Sequence, residues 1–231
     1  MYWLRLIPGT LLKRYKRFLA DILLSDGSKV TAHCPNSGSM SGCSEPGRPV
    51  YITRHDNLKR KLPYTWELID MGTSLVGVNT MVPNRLVAEN IAEGNISELS
   101  GFDKICREVK VGKHSRLDLK LEKKGSLPCY VEIKNCTLVE NHIALFPDAI
   151  TTRGQKHLLE LTELVEKGDR CAMFFLIQRM DAKRFSPADH IDPVYGEKLR
   201  RASKAGVEII AYDVNIDLKQ IQINQKLPIY L

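Results

Sequence analysis

Ser115-Arg116-Leu117-Asp118-Leu119-Lys120-Leu121 is followed, after a short linker, by Cys129-Tyr130-Val131-Glu132-Ile133-Lys134-Asn135. Both stretches alternate apolar and polar residues, the period of a strand with one buried face. Leu117, Leu119 and Leu121 share one face and Asp118 takes the other. Val131 and Ile133 share one face, with Glu132 and Lys134 opposite. The linker Lys123-Lys124-Gly125-Ser126-Leu127-Pro128 is turn-rich and predicts a hairpin. A turn centred on Gly125 places Asp118 across from Glu132. Two carboxylates opposed on one sheet face repel each other unless something cationic lies between them. A divalent metal ion with Lys134 beside it would supply that charge.

The segments around this hairpin predict two units, 1–81 and 82–231. In the first, Leu4–Asp26, Lys29–His33, Pro49–Arg54, Thr65–Asp70 and Leu75–Asn79 read as strands. Asp26-Gly27, Glu45-Pro46-Gly47 and Met71-Gly72 punctuate them. Five short strands without a helix predict a small barrel of the OB type. In the second, Pro83 opens a helix carrying Leu86, Val87 and Ile91, and Gly94 ends it. Strands follow near Cys106–Val111, Arg116–Glu122 and Tyr130–Cys136, then a helix over Thr151–Glu166. Cys171–Ile177 is a continuous apolar run, the signature of a strand buried on both faces. A helix over Asp192–Ala205 and a strand over Val207–Tyr212 complete an α/β layered domain.

Composition restricts the partners. Lys plus Arg number 34 and Asp plus Glu 27, a net charge of +7. Up to Val82 the chain holds 11 basic and 6 acidic residues, and the remainder 23 and 21, so the basic excess lies in the first third. A polyanionic partner suits that distribution, although many proteins without one are as basic. No segment approaches the ~18 apolar residues of a membrane span. Near the start, charge follows the apolar stretch, the reverse of a signal peptide. The six cysteines form no CxxC pair, which suits free thiols in a reducing cytoplasm. His33, Cys34, Cys43 and His55 fit no common zinc spacing.

An aspartate followed by Glu-x-Lys on the next strand resembles the site of PD-(D/E)xK nucleases. Carboxylate ligands suit Mg²⁺ or Mn²⁺, and a neighbouring lysine can orient water. The plain alternative is a solvated strand face of mixed charge. Gln155 precedes Leu158, Leu159, Thr162 and Val165 on what reads as the sheet-facing stripe of its helix. There it would sit near the Glu132 strand, and in several branches of that fold such a glutamine completes the site. Glu89, with Glu98 and Glu108 behind it, is the candidate for an additional metal-binding acid. Arg153 and Lys156, with His157, suit phosphates at a helix N-terminus. Lys13, Arg14, Lys16 and Arg17 alternate with Tyr15 and Phe18. Lys59, Arg60 and Lys61 precede Tyr64 and Trp66. Cations interleaved with rings suit a nucleic-acid surface, and equally a solvated basic edge over core aromatics.

Ala32-His33-Cys34-Pro35-Asn36-Ser37-Gly38-Ser39-Met40, Asn57-x-Lys59-Arg60-Lys61 and Thr65-Trp66-Glu67 resemble the sugar fermentation stimulation protein A family. So do Val131-Glu132-Ile133-Lys134, Phe146-Pro147-Asp148-Ala149, Arg153-Gly154-Gln155-Lys156-His157-Leu158 and Arg184-Phe185-Ser186-Pro187. The resemblance implies an N-terminal OB-like domain and a C-terminal PD-(D/E)xK nuclease-like domain. It also implies DNA binding with little sequence preference and a link to sugar (maltose) metabolism. One departure is that Arg116-Leu117, not Pro-Asp, precedes Asp118. A working Mg²⁺-dependent nuclease and a non-enzymatic DNA-binding regulator on the same scaffold both remain open. An oligosaccharide-binding barrel is a third reading, and monomer and homodimer are equally open.

Overall fold

The computed structural model describes residues 1–231 apart from Leu58, Lys113 and His114. The first unit begins with β1 (Leu6–Tyr15) and β2 (Leu19–Leu24), then β3 (Lys29–His33), β4 (Pro49–Arg54) and β5 (Tyr64–Asp70). β1 pairs antiparallel with both β2 and β4, β2 with β3, and β4 with β5. Parallel pairing of Ala32 with Tyr64 and His33 with Thr65 joins β3 to β5 and closes the ring. This is the expected OB-type barrel, and closure leaves no barrel strand with a free edge. Leu11, Ile22, Ile52, Trp66 and Ile69 are fully buried inside it. The segment expected as one strand over Leu4–Asp26 is a hairpin. Its turn uses Lys16 and Arg17 at φ 48° and 62°, a conformation these residue types do not advertise. β6 (Leu75–Gly77) pairs with β5 outside the ring.

The second unit opens with α1 (Val82–Ala92), followed by β7 (Lys104–Val111), β8 (Ser115–Glu122) and β9 (Cys129–Cys136). Next come β10 (Leu138–Glu140), β11 (Ile143–Phe146), α2 (Thr152–Glu166), β12 (Arg170–Ile177) and β13 (Arg184–Pro187). α3 (Pro193–Ala205), β14 (Glu208–Ile216) and β15 (Ile221–Lys226) complete it. Six strands form one sheet in the order β15-β14-β12-β9-β8-β7. The β9-β12-β14 centre is parallel and the flanks are antiparallel. β12 is buried from Cys171 to Ile177, as its unbroken apolar run predicts. Leu86, Val87 and Ile91 of α1 pack on Leu119, Val131 and Phe174 on one side of the sheet. Leu158 and Leu161 of α2, with Tyr195 and Leu199 of α3, pack on Met173, Phe175 and Ile177 on the other. The result is the expected α/β layered domain, a mixed sheet with helices on both faces. The small sheet of β10, β11 and β13 was not foreseen, because such short strands carry no periodicity to read.

Polar contacts join the two units. Gln178 is fully buried, and its Nε2 donates to Asn79 O at 3.3 Å and to Asn135 Oδ1 at 2.8 Å. Gly77 N donates to Gln178 O at 2.8 Å. Asp148 Oδ2 accepts from Met40 N at 2.8 Å, and Asp148 O accepts from Ser39 Oγ at 2.5 Å. The Phe146-Pro147-Asp148-Ala149 segment thus fastens the second unit to the 36–40 loop of the barrel.

Candidate active site

β8 and β9 pair with Leu119 opposite Val131 and Leu121 opposite Cys129. Continued by one residue, that register sets Asp118 opposite Glu132, as a turn about Gly125 requires. Beyond Leu119 the ladder gives way to the Asp118 side chain, whose Oδ2 accepts from Ile133 N at 2.7 Å. Its Oδ1 accepts from Asn84 Nδ2 at 2.7 Å, which ties the first turn of α1 to the site. Glu132 is 3% exposed. Its Oε1 accepts from Lys134 Nζ at 2.5 Å and from His157 Nδ1. A carboxylate can only accept, so Nδ1 carries the imidazole proton. Glu132 Oε2 is buried and has no hydrogen-bond partner among the described residues.

The two acids respond in opposite directions. Burial pushes the Asp118 carboxyl up, the Glu132 charge adds to it, and together they carry it to about 6. Burial would also raise Glu132, but Lys134 and His157 outweigh it and hold that carboxyl below its ordinary value. The site thus sets a buried carboxylate, with one oxygen unpartnered among the described residues, beside a second carboxyl raised by burial and by its neighbour's charge. Among the described residues no group of three or more His, Cys, Asp or Glu gathers. A donor set of two hard carboxylates fits Mg²⁺ or Mn²⁺, which retain several waters.

Two other expected members of the site lie elsewhere. Gln155 Nε2 is 3.1 Å from each oxygen of Asp192, and its Oε1 is 3.4 Å from Lys198 Nζ. It braces α2 against α3 instead of reaching Glu132. The buried side of α2 is Gly154, His157, Leu158 and Leu161, while Leu159 is 48% exposed. The helix is therefore rotated from the stripe expected, and His157 occupies the place given to Gln155. Gly154 shows why: a Cβ there would lie 3.1 Å from the Tyr195 ring, so α3 sets the rotation by close approach. Glu89 pairs with Arg85 at 2.7 Å on the solvent side of α1. The α1 residue at the site is Asn84, an amide rather than an acid, and no helical period singles it out. Glu98 is bound to Lys226 and Tyr212, far along the sheet in register.

The candidate nucleic-acid residues divide into engaged and free cations. Lys13 pairs with Asp21 at 3.5 Å. Arg14 is spent on structure, because its guanidinium donates to the carbonyls of Asn36, Gly38 and Ser39 at 2.8–2.9 Å. Arg60 donates to Thr65 Oγ1 at 2.8 Å. Lys16, Arg17, Lys59 and Lys61 are exposed on the barrel, and Arg153 and Lys156 on α2. Arg17 faces the loop before α2 across a cleft of about 560 Å³ that also borders Asn36, Asn135 and Thr137.

A family model described as the SfsA N-terminal OB domain matches residues 12–78. A second, the sugar fermentation stimulation protein RE domain, matches residues 81–220. The chain belongs to the sugar fermentation stimulation protein family. A sugar fermentation stimulation protein homolog of Geobacter sulfurreducens is 54% identical over 224 residues, covering 97% of this chain and 96% of that protein. One from Acidithiobacillus ferrooxidans is 50% identical over 225 residues, covering 97% of each. The solved structure of Pyrococcus furiosus SfsA in complex with Ca²⁺ superposes with a TM-score of 0.92 at 28% identity, covering 100% of this chain and 98% of that one. In this chain Asp118 is placed without a Pro-Asp before it. Register and the Asn84 and Ile133 hydrogen bonds position the carboxylate.

Proposed function

We propose that this protein binds DNA with little sequence preference and hydrolyses its phosphodiester bonds at a divalent-metal site. The observation that carries this reading is the buried, unpartnered Oε2 of Glu132 beside the raised carboxyl of Asp118. Asp118 and Glu132 are the residues that would hold Mg²⁺ or Mn²⁺. The Ca²⁺ in the Pyrococcus furiosus relative, another hard oxygen-seeking cation, supports that assignment. Bound there, the metal would neutralise charge on the phosphoryl oxygens and make a coordinated water more acidic.

The chain's own residues account for the rest. Asn84 and the Ile133 amide fix Asp118, while Lys134 and His157 hold one oxygen of Glu132 and leave the other to ligate. The Lys134 ammonium, half-buried beside Glu132, orients the attacking water and offsets charge in the transition state. Water oxygen forms the new bond to phosphorus as one ester P–O bond breaks. The water's protons pass to solvent, and the leaving oxygen takes one up. Residues 1–81 serve as the nucleic-acid-binding unit through Lys16, Arg17, Lys59 and Lys61, and residues 82–231 as the cleaving unit, with Arg153 and Lys156 on phosphate. A role in sugar metabolism would then act through the DNA that is bound.

The test is cleavage of single-stranded, double-stranded and branched DNA with Mg²⁺ or Mn²⁺, using wild type, Asp118→Ala and Glu132→Ala. Metal-dependent cleavage by wild type, lost in both variants, is expected. Salt-sensitive DNA binding and metal binding without cleavage would assign the non-enzymatic regulator. Absence of metal binding in wild type would refute the site.

A further inference from the structure

A second electrostatic anomaly lies beside the first. β7 and β8 pair with Lys110 directly opposite Arg116. Like charges at opposed positions of an antiparallel pair are unfavourable, with Cβ atoms only about 5 Å apart. Lys156 of α2 faces the same space, as does Arg153 one turn before it. Together they border a cleft of about 680 Å³, open to solvent, with Ser115 and Glu108 also on its wall. Among the described residues no carboxylate lies within 4 Å of Lys110, Arg116 or Arg153, whereas Lys156 pairs with Glu160 at 3.6 Å. Four cations from three elements, three of them without counter-charge, make a site for an anion.

Its position says which anion. His157 also borders the cleft, and its Nδ1 donates to Glu132. Arg116 precedes Asp118 by two residues on β8. The cleft is therefore one side chain, His157, away from Glu132, and it is bordered by the strand that carries Asp118. Guanidinium forks and ammonium groups are matched to phosphate oxygens. We propose that this cleft is a phosphate subsite, holding a phosphate group of the nucleic-acid strand next to the one under attack. The assignment rests on the nucleic-acid reading above, and it adds Lys110 and Arg116 to Arg153 and Lys156. The phosphate belongs either to the interior of the strand or to its phosphorylated end.

The experiment compares wild type, the Lys110→Ala/Arg116→Ala double variant, and Lys204→Ala as a control for lost surface charge. Each binds labelled single-stranded oligonucleotide in EDTA over 0.1–1 M salt. Two lost contacts should lower the slope of log affinity against log salt by about 1.4, or about 25-fold in affinity over that tenfold salt range. Lys204→Ala should leave the slope unchanged. The DNA-free double variant should melt no lower than wild type, because the opposed cations are gone. A purely structural pair would lower the melting point. The oligonucleotide is offered with a 5′-phosphate, with a 5′-hydroxyl, and as a circle. A 5′-phosphate preference lost in the double variant places the strand end in the cleft, and equal binding of all three places an interior phosphate there. Equal slopes for the double variant and Lys204→Ala overturn the proposal. If wild type bound no DNA, the nucleic-acid reading would fall. The subsite would then be judged on inorganic phosphate alone: stabilisation of wild type but not of the double variant supports it, and stabilisation of neither refutes it.

Discussion

Asp118→Asn tests the electrostatic argument at its root. Its carboxyl titrates at 3.8 unperturbed and at about 6 in the fold. At pH 4 and below the group is largely neutral in both states and costs little. Between pH 4 and pH 6 the unfolded chain ionises first, so stability is lost as pH rises through that window. A shift of about two units corresponds to about 3 kcal/mol at 1.36 kcal/mol per unit. Asparagine removes this penalty, but it accepts at one oxygen where aspartate accepts at two. Either Asn84 or the Ile133 amide then lacks a partner, at about 1–3 kcal/mol. That loss is independent of pH and cancels when two pH values are compared. Chemical denaturation in EDTA, followed by circular dichroism at pH 4 and pH 8, gives the stability difference between variant and wild type. It should move by about 3 kcal/mol in favour of the variant on going to pH 8. Saturating Mn²⁺ should stabilise wild type at pH 8 and leave the variant much less affected. A difference that stays constant with pH would show that Asp118 carries no strain, and the case for a cation would fall with it.

The joint between the two units is open to a similar test. A Cβ on Gly77 would lie 2.5 Å from Gln178 Oε1 and 2.9 Å from its Cδ, so Gly77→Ala must displace a fully buried amide. Overpacking and lost hydrogen bonds should together cost about 2–4 kcal/mol by urea denaturation. Adding Gln178→Ala should recover part of that cost, and strictly additive losses would contradict the collision. At the other end of the sheet, burial tends to raise the Glu98 carboxyl, but Lys226, Tyr212 and local hydrogen bonds bring it down to about 2. A depressed carboxyl contributes stability that is present above its unfolded value and lost as pH falls through the folded one. Glu98→Gln should therefore lose stability at neutral pH and converge with wild type near pH 2.

Much of this protein could be read before any coordinates. The register that brings Asp118 beside Glu132 follows from a turn about Gly125, but the period of two expected in β8 fails at its start, since Leu117 packs on the α2 side of the sheet and Leu119 and Leu121 on the α1 side. The double burial of Cys171–Ile177 follows from an apolar run too short for a helix and lacking a polar face. The barrel was legible as a class, though its first hairpin was not, because Lys16 and Arg17 turn without a glycine or asparagine signal.

Contacts between elements distant in sequence are another matter. A helical stripe read from α2 alone tolerates a rotation of one residue position, since Leu158 and Val165 suit either phase. The approach of Tyr195 to Gly154 removes that freedom, bringing His157 to Glu132 and sending Gln155 to Asp192. Asn84 reaches Asp118 only because α1 crosses that face of the sheet. Lys110 and Arg116 oppose each other only through the β7–β8 register, which no turn residue marks. Sequence alone determined which strands carry the two candidate carboxylates, because strand pattern and turn position are local properties of the chain. Tertiary structure decided which side chains complete the site, because helix rotation and strand neighbours are set by packing between parts of the chain far apart in sequence.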